Sequence, residues 1–170
     1  MDYEIIYSKR KTVSIKIEQG IVIVKAPLGV AKKEIRSIVD KHRDWIDRAV
    51  VREKKKREKY ESLDESQVRI LKKQARIYLT GLCEKYSALM GLSYNRISIT
   101  SAKKRFGSCS SNKNISFSYL LMLYPEAARE YVVVHELAHL CEMNHSARFY
   151  AIIERYMPDY KERKKLLKQN

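Results

Sequence analysis

Three of the four histidines in this 170-residue chain fall within the stretch HELAHLCEMNH, at positions 135, 139 and 145. His135 and His139 are four residues apart, so on a helix they share a face, one turn above the other. That spacing lets two imidazoles converge on one tetrahedral ion. Glu136 follows the first histidine directly. It cannot share that histidine's direction, yet it can reach an atom bound to the metal. This is the H-E-x-x-H arrangement, in which the glutamate takes a proton from zinc-bound water. A third ligand has to come from elsewhere. His145 is in reach if the helix has ended and the chain reverses near Asn144, a residue that tolerates the left-handed conformation.

Average composition would produce H-E-x-x-H in very roughly one chain of this length in two hundred, and a third histidine at a usable offset is rarer again by about tenfold. A metal site is therefore the stronger reading of the cluster. Three protein ligands and an unligated glutamate describe a catalytic zinc (Zn2+), which keeps a position for water, whereas structural sites are mostly closed by four protein ligands. Cys109 and Cys141 are the residues that could close it. Cys141 lies two positions past His139, points away on a helix, and reads as core. Cys109 sits in a polar loop and stays open as a fourth ligand.

The segment carrying the histidines must be buried. Val133, Val134, Leu137, Leu140 and Cys141 make it apolar on nearly every side but the histidine one. Pro125 opens this helix, with Glu126 in its first turn. The β-branched run Val132-Val133-Val134 has poor helix propensity, so tertiary packing has to hold it.

The remaining elements give an α+β chain. Val13, Ile15 and Ile17 alternate with polar residues as a half-buried strand, Gln19-Gly20 turns the chain, and Ile21 to Val24 returns, ending at Pro27. YEIIY near the start adds a third strand. One long helix is expected over Lys32 to Lys59, with Ile35, Ile38, Val39, Trp45 and Ile46 on one stripe and solvated last turns. SLDES marks a joint, where Ser62 with Glu65 or Asp64 with Gln67 has capping-box spacing. The next helix runs to about Met90, with Ile70, Leu71, Ile77, Tyr78, Leu82, Cys83, Tyr86 and Leu89 inward and Gly91 as its C-terminal cap. NRISIT reads as a strand, SAKKRFGSCSSNKN as a polar loop, and ISFS as a short strand. Residues 1–170 are expected to form a single domain with two lobes, 1–61 (hairpin plus basic helix) and 62–170 (the core with the histidines).

The net charge is +15, unevenly placed. Residues 32–59 carry 12 basic and 6 acidic side chains, whereas 114–160 sum to −3. A basic surface of this kind could attract nucleic acid. Neither a signal peptide nor a membrane span is expected, and three widely spaced cysteines argue against a disulfide framework, so a reduced, cytoplasmic setting is expected.

The stretch KKRFGSCSSNKNISFSYLLMLYPEAAREYVVVHELAHLCEMNHSARFY resembles the YgjP-like metallopeptidase family. The matching features are Phe106-Gly107-Ser108-Cys109, Ile115 to Phe117, Pro125, Tyr131 to His139, and His145 to Phe149. The N-terminal hairpin with Trp45-Ile46 and the late PDYKERKKLL also match. SprT-like and WLM proteases share the histidine spacing. Three positions depart from the family pattern: Phe106 and Tyr150 replace tryptophans, and Ser118 replaces an asparagine. They concern the shape of the cleft, not the metal motif. The resemblance implies a zincin-like core, with His135, His139 and His145 as zinc ligands and Glu136 as catalytic base, acting on a peptide or unfolded-protein substrate. Arg105, Tyr131 and Tyr150 are candidate oxyanion donors, and ISFS a candidate edge on which an extended peptide could pair. The rival reading is a nucleic-acid- or ribosome-associated binding module with a structural or latent zinc site.

Overall fold

In this computed structural model, residues 2–18 and 20–169 are described. They fall into two compact units, Met1–Ser62 and Leu63–Asn170. The first begins with three strands, β1 (Tyr3–Ser8), β2 (Ser14–Glu18) and β3 (Ile21–Pro27). Their order is β1-β3-β2, with β1 parallel and β2 antiparallel to the central β3. Of the expected hairpin turn, Gln19 lies outside the described residues, and Gly20 has φ +85, where glycine is at home. Alternation along β3 buries Val22, Val24 and Ala26, which share a small core with Ile35, Val39 and Ile46.

The single long helix expected after β3 is two, α1 (Lys32–Lys41) and α2 (Arg43–Glu61). His42 sits between them with φ −107 and ψ 13, and its Nδ1 lies 2.8 Å from the Ile38 carbonyl, so a side chain competes there for the helix ladder. Trp45 is 44% exposed instead of lying on the inward stripe. The buried positions 35, 39, 46 and 49 define that stripe, and residue 45 is rotated about 100° from it. The later turns of α2 carry exposed i,i+4 pairs, Lys54–Glu58 and Arg57–Glu61, each worth only a few tenths of a kcal/mol.

The second unit opens with α3 (Glu65–Met90), started by the full Asp64/Gln67 capping box and ended by Gly91 at φ 66. Ala75, Leu79, Leu82, Cys83, Tyr86 and Met90 form its buried face. Ile70, Ile77 and Leu89, expected inward, are 55%, 68% and 59% exposed, because the buried stripe passes through Ala75 and Leu79 and leaves them on other faces. A second sheet follows, with β4 (Arg96–Thr100), β5 (Gly107–Cys109) and β6 (Asn114–Ser118) in the order β4-β6-β5. Again the first strand is parallel and the second antiparallel to the third. ISFS is therefore the central strand, not an edge. The edges are β4 and β5, the latter drawn from the segment read as loop.

A 3-10 turn (Tyr119–Leu123) leads to α4 (Glu126–Ala138), then α5 (Ala147–Tyr156) and α6 (Tyr160–Gln169). α4 packs against α3, β5, α5 and α6. Val132, Val133, Val134 and Leu137 are buried there, each contributing about 1.5–3 kcal/mol. That packing outweighs the weak helix propensity of the valine run. No helix among the described residues is long and apolar enough to cross a membrane.

Candidate metal centre

α4 ends at Ala138, with His139 as its cap, still in helical dihedrals (φ −66, ψ −16). His135 and His139 thus keep the one-turn relation. The amides of Leu140 and Cys141 bond the Leu137 and Ala138 carbonyls at 3.0 and 3.1 Å, and Glu142 also bonds Ala138 at 3.1 Å. This tight turn reverses the chain without a left-handed residue: among the described non-glycine residues only Lys113 has positive φ, so Asn144 does not play the part expected of it. Ser146 then caps α5, its Oγ accepting from the Phe149 amide at 3.3 Å. His145 is held between the two helices.

The ligand-type atoms of His135, His139 and His145 all lie within 4.8 Å of one another, and no other described His, Cys, Asp or Glu joins the group. Nε2 of His135 is 3.0 Å from Nε2 of His145, close to the roughly 3.3 Å that separates two nitrogens at tetrahedral angles around zinc at 2.0–2.1 Å. Nδ1 of His139 is 3.0 Å from the Glu142 carbonyl. A carbonyl only accepts, so Nδ1 is the donor there and Nε2 is the nitrogen left to face a metal. Tyr131 Oη stands 3.4 Å from Nδ1 of His135 and orients that ring in the same sense. The donor set therefore fits zinc.

Phe149 is the floor of the site. It is fully buried, with ring centroids 4.9, 4.5 and 4.8 Å from His135, His139 and His145. Burial holds His135 neutral, its pKa lowered to about 3, with the charges of His139, His145 and Lys164 acting in the same direction. His145 is also lowered, by desolvation and then by His139 and Lys164.

Glu136 is 5% exposed, and burial pushes its carboxyl up to about 7, opposed by the charge of Arg105. It lies flat against β5. A Cβ at Gly107 would sit 2.5–2.7 Å from the Glu136 carboxyl group and its Cγ, so this glycine supplies room and not backbone freedom. Its need is invisible in the sequence, since nothing there places the Gly-Ser-Cys segment over α4. Cys109 belongs to β5, half-buried, with Sγ 3.6 Å from the Ser110 carbonyl and outside the histidine group. Cys141, expected in the core, is exposed because the helix has ended before it. Cys83 is the buried thiol, raised to about 12 by desolvation and then by Glu136 and Glu84.

Of the three oxyanion candidates, Tyr131 is buried with its hydroxyl facing His135. Arg105 is exposed and near enough for its charge to act on Glu136. Tyr150 is half-buried and stacks on His145, with centroids 6.4 Å apart.

A buried carboxyl next to three converging imidazoles belongs to metal-dependent hydrolysis as a class of chemistry. The YgjP-like metallopeptidase domain matches residues 47–170, and the chain belongs to that family. Among solved structures it is similar to the metallopeptidase zymogen abylysin of Pyrococcus abyssi, with 23% identity, a TM-score of 0.48, and coverage of 52% of this chain and 90% of that one. It is also similar to the metallopeptidase zymogen jannalysin of Methanocaldococcus jannaschii, with 18% identity, a TM-score of 0.46, and coverage of 52% and 92%. No curated protein matches the chain.

Proposed function

We propose that this chain is a zinc-dependent peptidase in which His135, His139 and His145 hold the ion and Glu136 is the general base. The observation that carries the reading is the convergence of three imidazoles, with a buried carboxyl on the residue that follows His135, in a member of a metallopeptidase family. Zinc, when bound, supplies Lewis acidity toward water and the scissile carbonyl. The chain's own residues do the rest. Glu136 accepts a proton from the attacking water and returns it to the leaving amine. Arg105, whose charge acts on that carboxyl, is one candidate donor to the developing oxyanion, with Tyr131 and Tyr150 as the others. Tyr131 and the Glu142 carbonyl keep two rings turned toward the ion. The outer edge of β5, beside Glu136, offers unpaired backbone groups to an extended peptide.

The test is Glu136→Gln, which keeps size and hydrogen bonding but removes the proton acceptor. Zinc content should stay near wild type while hydrolysis of casein falls by roughly two to four orders of magnitude. Equal cleavage by both proteins would sink the mechanism.

A further inference from the structure

The metal centre does not end at His145. On its exposed side, the Tyr150 ring stacks on His145 at 29°, and the Tyr160 ring stacks on Tyr150 at 5.9 Å and 21°. Lys164 Nζ lies 5.4 Å over Tyr150, and Lys161 Nζ 5.7 Å over Tyr160. Tyr150, Tyr160, Lys161 and Lys164, with Lys165 and Lys168, line a cleft of about 440 Å3, a size that takes one or two side chains of a ligand.

The lysines are not scattered. Positions 161, 164, 165 and 168 follow the i, i+3, i+4, i+7 pattern, which places all four on one stripe of α6. Like charges so spaced repel one another, and the nearby acids are engaged elsewhere. Arg163, on another face of α6, pairs with Glu130 of α4 and with Asp159. Glu162 is 3.5 Å from Lys165 alone. Among the described residues no carboxylate pairs with Lys161, Lys164 or Lys168. The pair to Glu130 anchors α6, so the stripe is held in place beside the centre.

Single-stranded nucleic acid held by base stacking would need open ring faces. Here Tyr160 is 8% exposed, and the rings are covered by one another and by lysine stems. What the cleft offers is ammonium groups over an apolar wall, which suits carboxylate side chains carried on a polypeptide.

We propose that this cleft binds an acidic segment of the substrate polypeptide and so selects where the chain is cut. The proposal rests on the peptidase reading for the cutting and on the cleft between Tyr150 and α6 for the binding. Lys164 Nζ lies within about 12 Å of the His145 ring, so the acidic side chain sits no more than three to four extended residues from the centre.

The experiment uses full-length, zinc-loaded Glu136→Gln protein and two fluorescent, unstructured twelve-residue peptides, one with four glutamates at one end and one with glutamines in their place. Anisotropy should show the glutamate peptide bound at least about tenfold more tightly, with affinity falling as salt rises. Changing Lys161, Lys164, Lys165 and Lys168 together to glutamine should abolish the difference, and changing them to arginine should keep it, with circular dichroism and zinc content confirming the fold of each. Wild-type protein should cut the glutamate peptide within about four residues of the nearest glutamate, as read by mass spectrometry. Equal binding of the two peptides, a preference that survives the glutamine variant, or a single-stranded oligonucleotide of equal charge that outcompetes the glutamate peptide would each overturn the proposal. If the binding preference holds but wild type hydrolyses neither peptide, the acid-binding cleft stands and the peptidase reading alone falls.

Discussion

Residues 1–62 and 63–170 carry nearly the same surplus of positive charge, with 17 basic and 10 acidic side chains in the first and 18 and 10 in the second. What separates them is where polar groups go. The buried polar side chains identified, Ser87, Ser118, Glu136 and His139, all belong to the second unit. The core shared by β3, α1 and α2 is made of aliphatic residues. Burying an ionisable group costs several kcal/mol unless it is partnered or neutralised, so a fold that keeps Glu136 and the His139 imidazole out of water does so for a use. Net charge alone would have pointed equally to both units. Desolvation points to one.

Loss of a ligand should break the contrast most severely. His139→Ala or His145→Ala should lower zinc retention by at least an order of magnitude and bring the thermal midpoint down with it. Metal analysis after gel filtration, followed by calorimetry, checks both. His145 is the sharper case because it lies outside the short motif, and full zinc occupancy in His145→Ala would remove it from the ligand set.

Gly107→Ala sharpens the contrast differently. The three atoms nearest the added methyl all belong to the Glu136 side chain, so the base should move while the fold holds. Hydrolysis is expected to drop by roughly a hundredfold, with a urea midpoint close to wild type. A variant with normal turnover would show that the carboxyl does not need its place against β5.

The metal-free protein gives a quieter signature. Burial pushes folded Glu136 up to about 7 from its ordinary 4.5, so between these values the folded state holds a proton that the unfolded state lacks. Its contribution to stability therefore falls as pH rises from 4.5 to 7. His135 acts in the opposite sense, raising stability from about 3 to 6.5. Glu136→Gln deletes only the first contribution. Relative to wild type it should gain up to about 3 kcal/mol across pH 4.5–7, measured by urea unfolding in a chelator. A constant offset across that window would mean that Glu136 is not desolvated.

The smallest effect belongs to the first unit. Reversing Lys54, Lys55, Lys56 and Arg57 to glutamate should leave zinc content and casein hydrolysis within about twofold of wild type, since these side chains lie on the helix α2 of the other unit. A larger loss in a direct activity assay would tie the basic helix to the chemistry.

The histidine helix, the Asp64 capping box and the Gly91 cap were legible in the sequence because each depends on local spacing. Features that depend on a distant partner were not. Gly107-Ser108-Cys109 lacks both alternation and β-branching, and it becomes a strand only because β6 pairs with it, with the Ser108 and Ser116 hydroxyls 2.7 Å apart across the ladder. With β5 unseen, β6 looked like an edge. Ile70, Ile77 and Leu89 are apolar at helical spacing, yet the buried stripe of α3 runs through the smaller Ala75 instead. The cleft beside His145 could not be read either, because the α6 lysines form a stripe in sequence but meet Tyr150 only after folding.

The two sheets share one wiring, first–third–second, and this has a consequence for how the chain assembles. In neither sheet are the first two strands neighbours. Nothing that emerges during synthesis before β3, or in the second unit before β6, can form a ladder, and each sheet then closes around its latest strand. The antiparallel partner is close in sequence and can close within microseconds. The parallel partner spans a longer loop and pairs at a greater entropic cost. Residues 21–27 and 114–118 are thus the two points in time at which this protein commits to its sheets.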